Sequence, residues 1–182
     1  MTRLDPLVPD GLHGDARLLY DTIVNGPRKG AGLTDDQGAL RGPFDPLLRV
    51  PTIGDIVQQL GVALRFEGSL PDDLRELIIL TTASHWRCEF ELDAHGRIAE
   101  RVGVDAADVE SLRAGEAPER ATADQRLVHD ATTELLTTRR LSDDTYAALR
   151  DRLGESTTVE FVIVAGYYAL LAMLLEGFQI RP

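Results

Sequence analysis

The sequence predicts an all-α fold of about seven helices. Three observations carry that. Ala and Leu are plentiful while aromatic residues make up only 5% of the chain. Alternating β-branched runs are scarce, whereas apolar residues recur at spacings of three and four. The segments open on Ser, Asp or Pro and close on Gly, as helices do. At 182 residues the chain fits one helical domain with an appended arm. The arm and a glycine-rich loop occupy residues 1–40, and the helical domain occupies residues 41–182.

Residues 1–15 are rich in Pro, Gly and Asp and read as an extended arm. Residues 15–25 form a short helix with Leu18, Leu19, Ile23 and Val24 apolar, ended by Asn25-Gly26-Pro27. The loop from 26 to 42 holds five glycines and the basic pair Arg28-Lys29. It lacks the Gly-x-x-x-x-Gly-Lys-Ser/Thr pattern and any preceding strand, so a nucleotide site is rejected. Residues 46–66 are helical, with Leu47, Leu48, Ile53, Ile56, Val57, Leu60 and Leu64 as the apolar repeat and Pro51 starting the main helix. Ser69-Leu70-Pro71-Asp72-Asp73 is a helix start, with Ser69 as its cap. A second helix begins near Arg87–Cys88 and ends at Gly103. Shorter helices follow over 104–114, 123–138 and 143–153, the last capped by Ser142. Residues 156–180 form the final helix. Its stretch 161–175 carries no charge, short of the roughly 20 residues a membrane span needs. A helix apolar all round is buried, here against partner subunits as well as its own chain.

The net charge of −11 argues against nucleic acid and anionic membrane surfaces as partners. A single cysteine allows no internal disulfide. The N-terminus shows no apolar run of signal-peptide length, so the cytoplasm is the expected location.

The chemistry concentrates in residues 75–95. This stretch holds the only cysteine, Cys88, the only tryptophan, Trp86, and two of the four histidines, His85 and His95. Cys88, Glu91 and His95 stand at i, i+3 and i+7, on one helical face. Glu76 lies in the apolar run before them. A carboxylate among Leu and Ile is costly unless paired. Its alternative is the wet side of the helix, beside Asp73 and an arginine. The His95 imidazole can carry a proton in either direction. A neighbouring glutamate orients the imidazole or holds a proton itself. Cys88 attacks only as a thiolate, a form favoured at a helix N-terminus; its bland reading is a small buried apolar side chain. The histidines show no His-x-x-His or Glu-x-x-His pairing, so no metal site is expected.

The pattern Glu76-x11-Cys88, continuing through Glu89-Phe90-Glu91-Leu92-Asp93-Ala94 to His95, resembles the core of the carboxymuconolactone decarboxylase family. That family includes the decarboxylase proper and the alkylhydroperoxidase D-like proteins. Gly42-Pro43-Phe44, Leu64-Arg65-Phe66-Glu67 and Gly166-Tyr167-Tyr168 extend the resemblance over residues 40–182. The peroxidase branch carries Glu-x11-Cys-x-x-Cys-x-x-x-His, with its two cysteines as a redox pair. Glu91 stands where the second cysteine would be, so a two-thiol cycle is absent. Glu89-Phe90-Glu91 through His95 is similar to the decarboxylase branch, with Phe for Tyr.

The resemblance implies an alkylhydroperoxidase D-like helical bundle assembling into trimers or hexamers. It implies His95, Glu76, Glu91 and Cys88 as catalytic candidates. Phe44, His85, Trp86, Arg87 and Tyr167 are the candidates for lining a substrate pocket, and Phe44 is equally a core residue. Arg87, His85, Arg65 and Arg49 are the cations available to anchor a carboxylate. The leading expectation is a cofactor-free lyase or isomerase that moves a proton on a small carboxylated or lactone substrate. Its rivals are a single-cysteine peroxidase and a non-catalytic ligand-binding oligomer.

Overall fold

The computed structural model describes residues 2–182. Among them are nine α-helices and no β-strand beyond one isolated bridge, Thr34 to Leu40. The helices are α1 (Gly14–Asn25), α2 (Phe44–Leu47), α3 (Pro51–Phe66), α4 (Asp72–Trp86), α5 (Glu89–Arg101), α6 (Ala106–Ala114), α7 (Ala123–Thr138), α8 (Asp143–Leu153) and α9 (Glu155–Phe178). The count exceeds the expected seven partly because Pro51 opens α3 separately from the one-turn α2. The chain divides into two compact units: residues up to Gly68 with Leu174–Arg181, and Ser69–Met173.

In the first unit, α1 packs on α3 around Leu19, Tyr20, Ile23, Leu40, Leu47 and Leu48. The expected apolar repeat buries only in part: Leu47, Leu48 and Leu64 are buried and Val57 packs against the cluster. Ile53, Ile56 and Leu60 face outward, while Gly54, Gln58, Gly61 and Leu64 are buried. The reason is close approach. A Cβ at Gly54 would stand 2.5 Å from the Leu47 carbonyl oxygen, so the helix packs on the face with the least bulk. The N-terminal arm is tied down by the Asp45 carboxylate, which accepts from the Leu7 N–H at 2.8 Å and from Arg49 at 2.7 Å.

In the second unit, α4 is the central element. Every residue from Leu74 to Ala83 is buried, as α7, α5 and α6 pack around it. Its N-terminus differs from expectation. Ser69 makes no side-chain cap; Pro71 holds that position. Instead the Glu160 carboxylate on α9 accepts from the Ser69 hydroxyl at 2.6 Å, the Ser69 N–H at 2.8 Å and the Leu70 N–H at 3.2 Å. Burial opposes the charge on Glu160. The hydrogen bonds from Ser69 and Leu70 and the field of Arg75 outweigh it and hold the carboxyl below its ordinary range. The helix starts farther along follow local rules: Thr122 and Gln125 form a capping box on α7, and Ser142 caps α8.

α9 is long and apolar enough to cross a membrane by length and composition alone, yet half of that apolar window is buried within the protein. Within the single chain its burial is one-sided. Phe161, Val164, Ala165, Tyr168, Leu171 and Ala172 point inward, while Val159, Val162, Ile163, Leu170 and Met173 stay exposed.

Candidate functional site

A one-residue joint builds the site. α4 ends with Arg87 in the left-handed region at φ 53° and ψ 38°. The Arg87 N–H donates to the Ser84 carbonyl and the Cys88 N–H to that of Ala83, at 3.0 and 2.9 Å. This is the Schellman closure, made here by a residue other than glycine at a cost of about 1 kcal/mol or more. Cys88 is then the N-cap residue of α5. Glu76 lies eleven residues before Arg87 and His95 eight after it. At 1.5 Å per residue these are roughly 16 and 12 Å from the joint, so their side chains meet between the packed helices.

They do meet. His95 Nδ1 lies 2.6 Å from Glu76 Oε2. On the other side of the ring, Nε2 lies 3.3 Å from Glu91 Oε2, one helical turn earlier on α5. All three side chains are buried, and Glu76 is 0% exposed. Glu76 is therefore not on the wet side of its helix. Its second oxygen, Oε1, is buried with no hydrogen-bond partner, which leaves an acceptor open inside the protein. The Tyr168 ring stands edge-on to the imidazole with centroids 5.1 Å apart, and Tyr167 stands edge-on to Tyr168 at 5.3 Å.

The proton count follows from the donors and acceptors. An imidazole sits favourably between two carboxylates only with a proton on each side. Both protons can rest on the ring, or one can rest on the ring and the other on a carboxyl. Either arrangement carries one net negative charge. A proton can thus pass between Nε2 and Glu91 without changing the charge of the buried cluster.

Cys88 is 0% exposed. His85, Trp86 and Arg87 are exposed around the α4–α5 joint, with the His85 and Trp86 rings 6.1 Å apart. Phe44 belongs to the first unit, where it packs beside the apolar cluster with the Arg28 guanidinium 5.3 Å from its ring. Arg49 is engaged by Asp45, and Arg65 lies over the Phe66 ring. Tyr168 touches the imidazole, and Tyr167 stands edge-on to Tyr168. Tyr168 lies on the inward stripe with Phe161, Val164, Ala165 and Leu171, a period that singles it out only weakly beside its buried neighbour. Among the described residues no group of three or more His, Cys, Asp or Glu is arranged to hold a metal ion.

The sequence profile described as "Carboxymuconolactone decarboxylase family" matches residues 51–134, a span that contains Glu76, Cys88, Glu91 and His95. Over this stretch the chain is similar to the carboxymuconolactone decarboxylase family. The fold agrees with solved structures at low identity. An uncharacterized peroxidase-related protein from Ralstonia eutropha JMP134, described as an alkylhydroperoxidase AhpD core, superposes with a TM-score of 0.77 at 17% identity, covering 100% of this chain and 92% of that one. A peroxidase-related protein from Silicibacter sp. TM1040 gives 0.72 at 16% identity, covering 100% and 91%. A protein of unknown function from Agrobacterium tumefaciens, proposed as an antioxidant-defence AhpD, gives 0.64 at 20% identity, covering 78% and 99%. No curated protein matches the chain. The chain shares the all-helical, AhpD-like fold of these structures, and the hydrogen bond from α4 to α5 lies inside the segment matched by the family profile.

Proposed function

We propose that this chain is an enzyme moving a proton on a small carboxylated or lactone substrate, in a decarboxylation or isomerisation. The buried Glu76–His95–Glu91 chain is the observation that carries the reading. Glu76 takes the Nδ1 proton of His95 as its hydrogen bond and so fixes the ring. The Nε2 side then does the chemistry. In an isomerisation the shared proton rests on Glu91, a C–H bond next to a carbonyl breaks, its electron pair moves onto the carbonyl oxygen, and its proton goes to Nε2, which returns it to a different carbon as the carbonyl re-forms. In a decarboxylation, the C–C bond to the carboxylate breaks, carbon dioxide leaves, and the same pair returns a proton to the carbanion carbon. Glu76 Oε1 is an open acceptor for a substrate hydroxyl. Arg87 and His85, at the joint, are the cations left to anchor a carboxylate.

A second reading is a single-thiol peroxidase. Cys88 occupies the N-cap position of the helix that bears Glu91 and His95, and the structures of similar fold include proteins described as peroxidase-related. Its sulfenic acid would need an external thiol for resolution, and its burial requires an opening before peroxide reaches it.

Deuterium exchange separates the readings. A panel of lactones and β-keto acids is incubated in D2O and followed by NMR for label uptake and loss of carbon dioxide. Turnover that survives Cys88→Ser and disappears in His95→Gln is expected. Turnover indifferent to His95→Gln sinks the proposal. Peroxide consumption lost in Cys88→Ser supports the second reading, and inactivity in both assays supports a ligand-binding oligomer.

A further inference from the structure

We infer that the Tyr168 hydroxyl is the hydrogen-bond donor to the substrate oxygen that becomes negative during the reaction. The inference rests on the proton-transfer reading above and adds the group that reading lacks. When a C–H or C–C bond next to a carbonyl breaks, the electron pair ends on the carbonyl oxygen. An oxyanion inside a protein is costly unless a donor meets it. The buried cluster is poorly placed to supply that donor. Glu76 accepts from Nδ1, and Nε2 handles the proton at carbon. Glu91 is held against Nε2 at 3.3 Å, where it keeps the shared proton.

Tyr168 brings a hydroxyl to the same place. Its ring stands edge-on to the His95 ring, with centroids 5.1 Å apart and planes 84° apart. The hydroxyl is fixed to that ring. It lies no farther from the imidazole than the ring contact plus half the length of a phenol. A carbonyl oxygen two bonds from the carbon at Nε2 falls within that reach. Other buried hydroxyls of this unit are turned elsewhere. Thr81, Thr132 and Thr158 donate to the carbonyls four residues before them. Thr82 stands six residues after Glu76, about 120° round α4 from it.

Tyr168 is also held ready. It is buried on the inward stripe of α9, and the Tyr167 ring braces it edge-on at 5.3 Å. A donor fixed in a buried site meets a developing charge without reorganising at the moment of reaction. The balance is complete without a further reagent. The substrate proton moves to Nε2 and the electron pair to oxygen. The Tyr168 proton stays on its own oxygen, shared as a hydrogen bond, until the pair returns to carbon.

Binding of 4-nitrophenol tests the assignment before any substrate is known. At the site the probe gives its proton to Nε2 and becomes an oxyanion beside a protonated imidazole, the charges of the enolate step. Its ionised form is read by visible absorbance, at a pH where the free phenol is neutral. The wild type should ionise the probe on binding. Tyr168→Phe keeps the ring and should weaken that binding by about 10- to 100-fold, the weight of a hydrogen bond to a charged group. On a lactone or β-keto acid that turns over, the same variant should lower kcat by about 10²–10³-fold. Placing 3-fluorotyrosine at position 168 gives a stronger donor of nearly the same shape. It should tighten binding, which decides the matter if the phenylalanine variant does not fold. The two readings fail separately. Ionisation that His95→Gln leaves intact refutes Nε2 as the proton acceptor, the reading on which this one rests. Ionisation that needs His95, with binding unweakened in Tyr168→Phe or unchanged by the fluorinated ring, refutes the role of Tyr168 alone. No ionisation by the wild type refutes both.

Discussion

Replacing His95 by Leu tests whether the buried cluster has the energetics its geometry implies. In the wild type the imidazole stands between two carboxylates, at 2.6 Å from Glu76 and 3.3 Å from Glu91. Removing it leaves two buried carboxyl groups facing an apolar side chain. Breaking a buried pair from one side costs about 3–5 kcal/mol, because the remaining partner loses its compensation. Against a total stability of about 5–15 kcal/mol, that is a large fraction. With a urea slope of about 2 kcal/mol/M, the unfolding midpoint should fall by about 2 M. The complementary variant removes all three groups as Glu76→Leu/Glu91→Leu/His95→Leu. Apolar groups of similar volume replace buried ions with little loss or a gain of about 1–4 kcal/mol, so the triple variant should be at least as stable as the wild type. Urea unfolding of both variants at one protein concentration supplies the comparison. A loss under about 1 kcal/mol for His95→Leu, or a triple variant as unstable as the single, would refute the view that these groups are mutually dependent and kept for something other than stability.

Three further outcomes follow from the geometry. Glu160 sits below its ordinary range, so the stability it contributes is fully present above the unfolded-state value and is lost as pH falls through the lowered one; Glu160→Gln should flatten the acid limb of a stability-against-pH profile. Gly54→Ala should destabilise by about 1–3 kcal/mol through overpacking, despite alanine's better helix propensity, because the new Cβ meets the Leu47 carbonyl at 2.5 Å and the Leu19 methyl at 2.9 Å. Thr122→Ala should cost about 1 kcal/mol in the same unfolding assay by removing the cap of α7, and a null effect would count against the capping box.

Much of the site was legible because its signals are local. Glu76 stands out as a carboxylate in the run Leu77-Ile78-Ile79-Leu80, where burial demands a partner. Glu91 and His95 declare themselves by helical spacing, and the break before Cys88 by the change in pattern at Ser84–Trp86. What escaped depends on distant partners. Ser69 looks like a cap until Glu160, 91 residues later, takes its hydroxyl. Ile53, Ile56 and Leu60 look like part of a core face until Gly54, on another face, wins by close approach. α9 is apolar all round, so periodicity alone cannot say which side turns inward or that Tyr168 reaches the imidazole.

The burial of α4 from Leu74 to Ala83 has a consequence in time as well as in space. Segments enclosed on every side are the last to open, and their amide hydrogens exchange only through near-global unfolding. Glu76 is rooted in that slowest element. Fraying of the arm or of exposed α8 leaves the carboxylate where it is. Slow amide exchange through α4, alongside faster exchange in the peripheral helices, is what such an anchored proton acceptor would look like to a spectrometer.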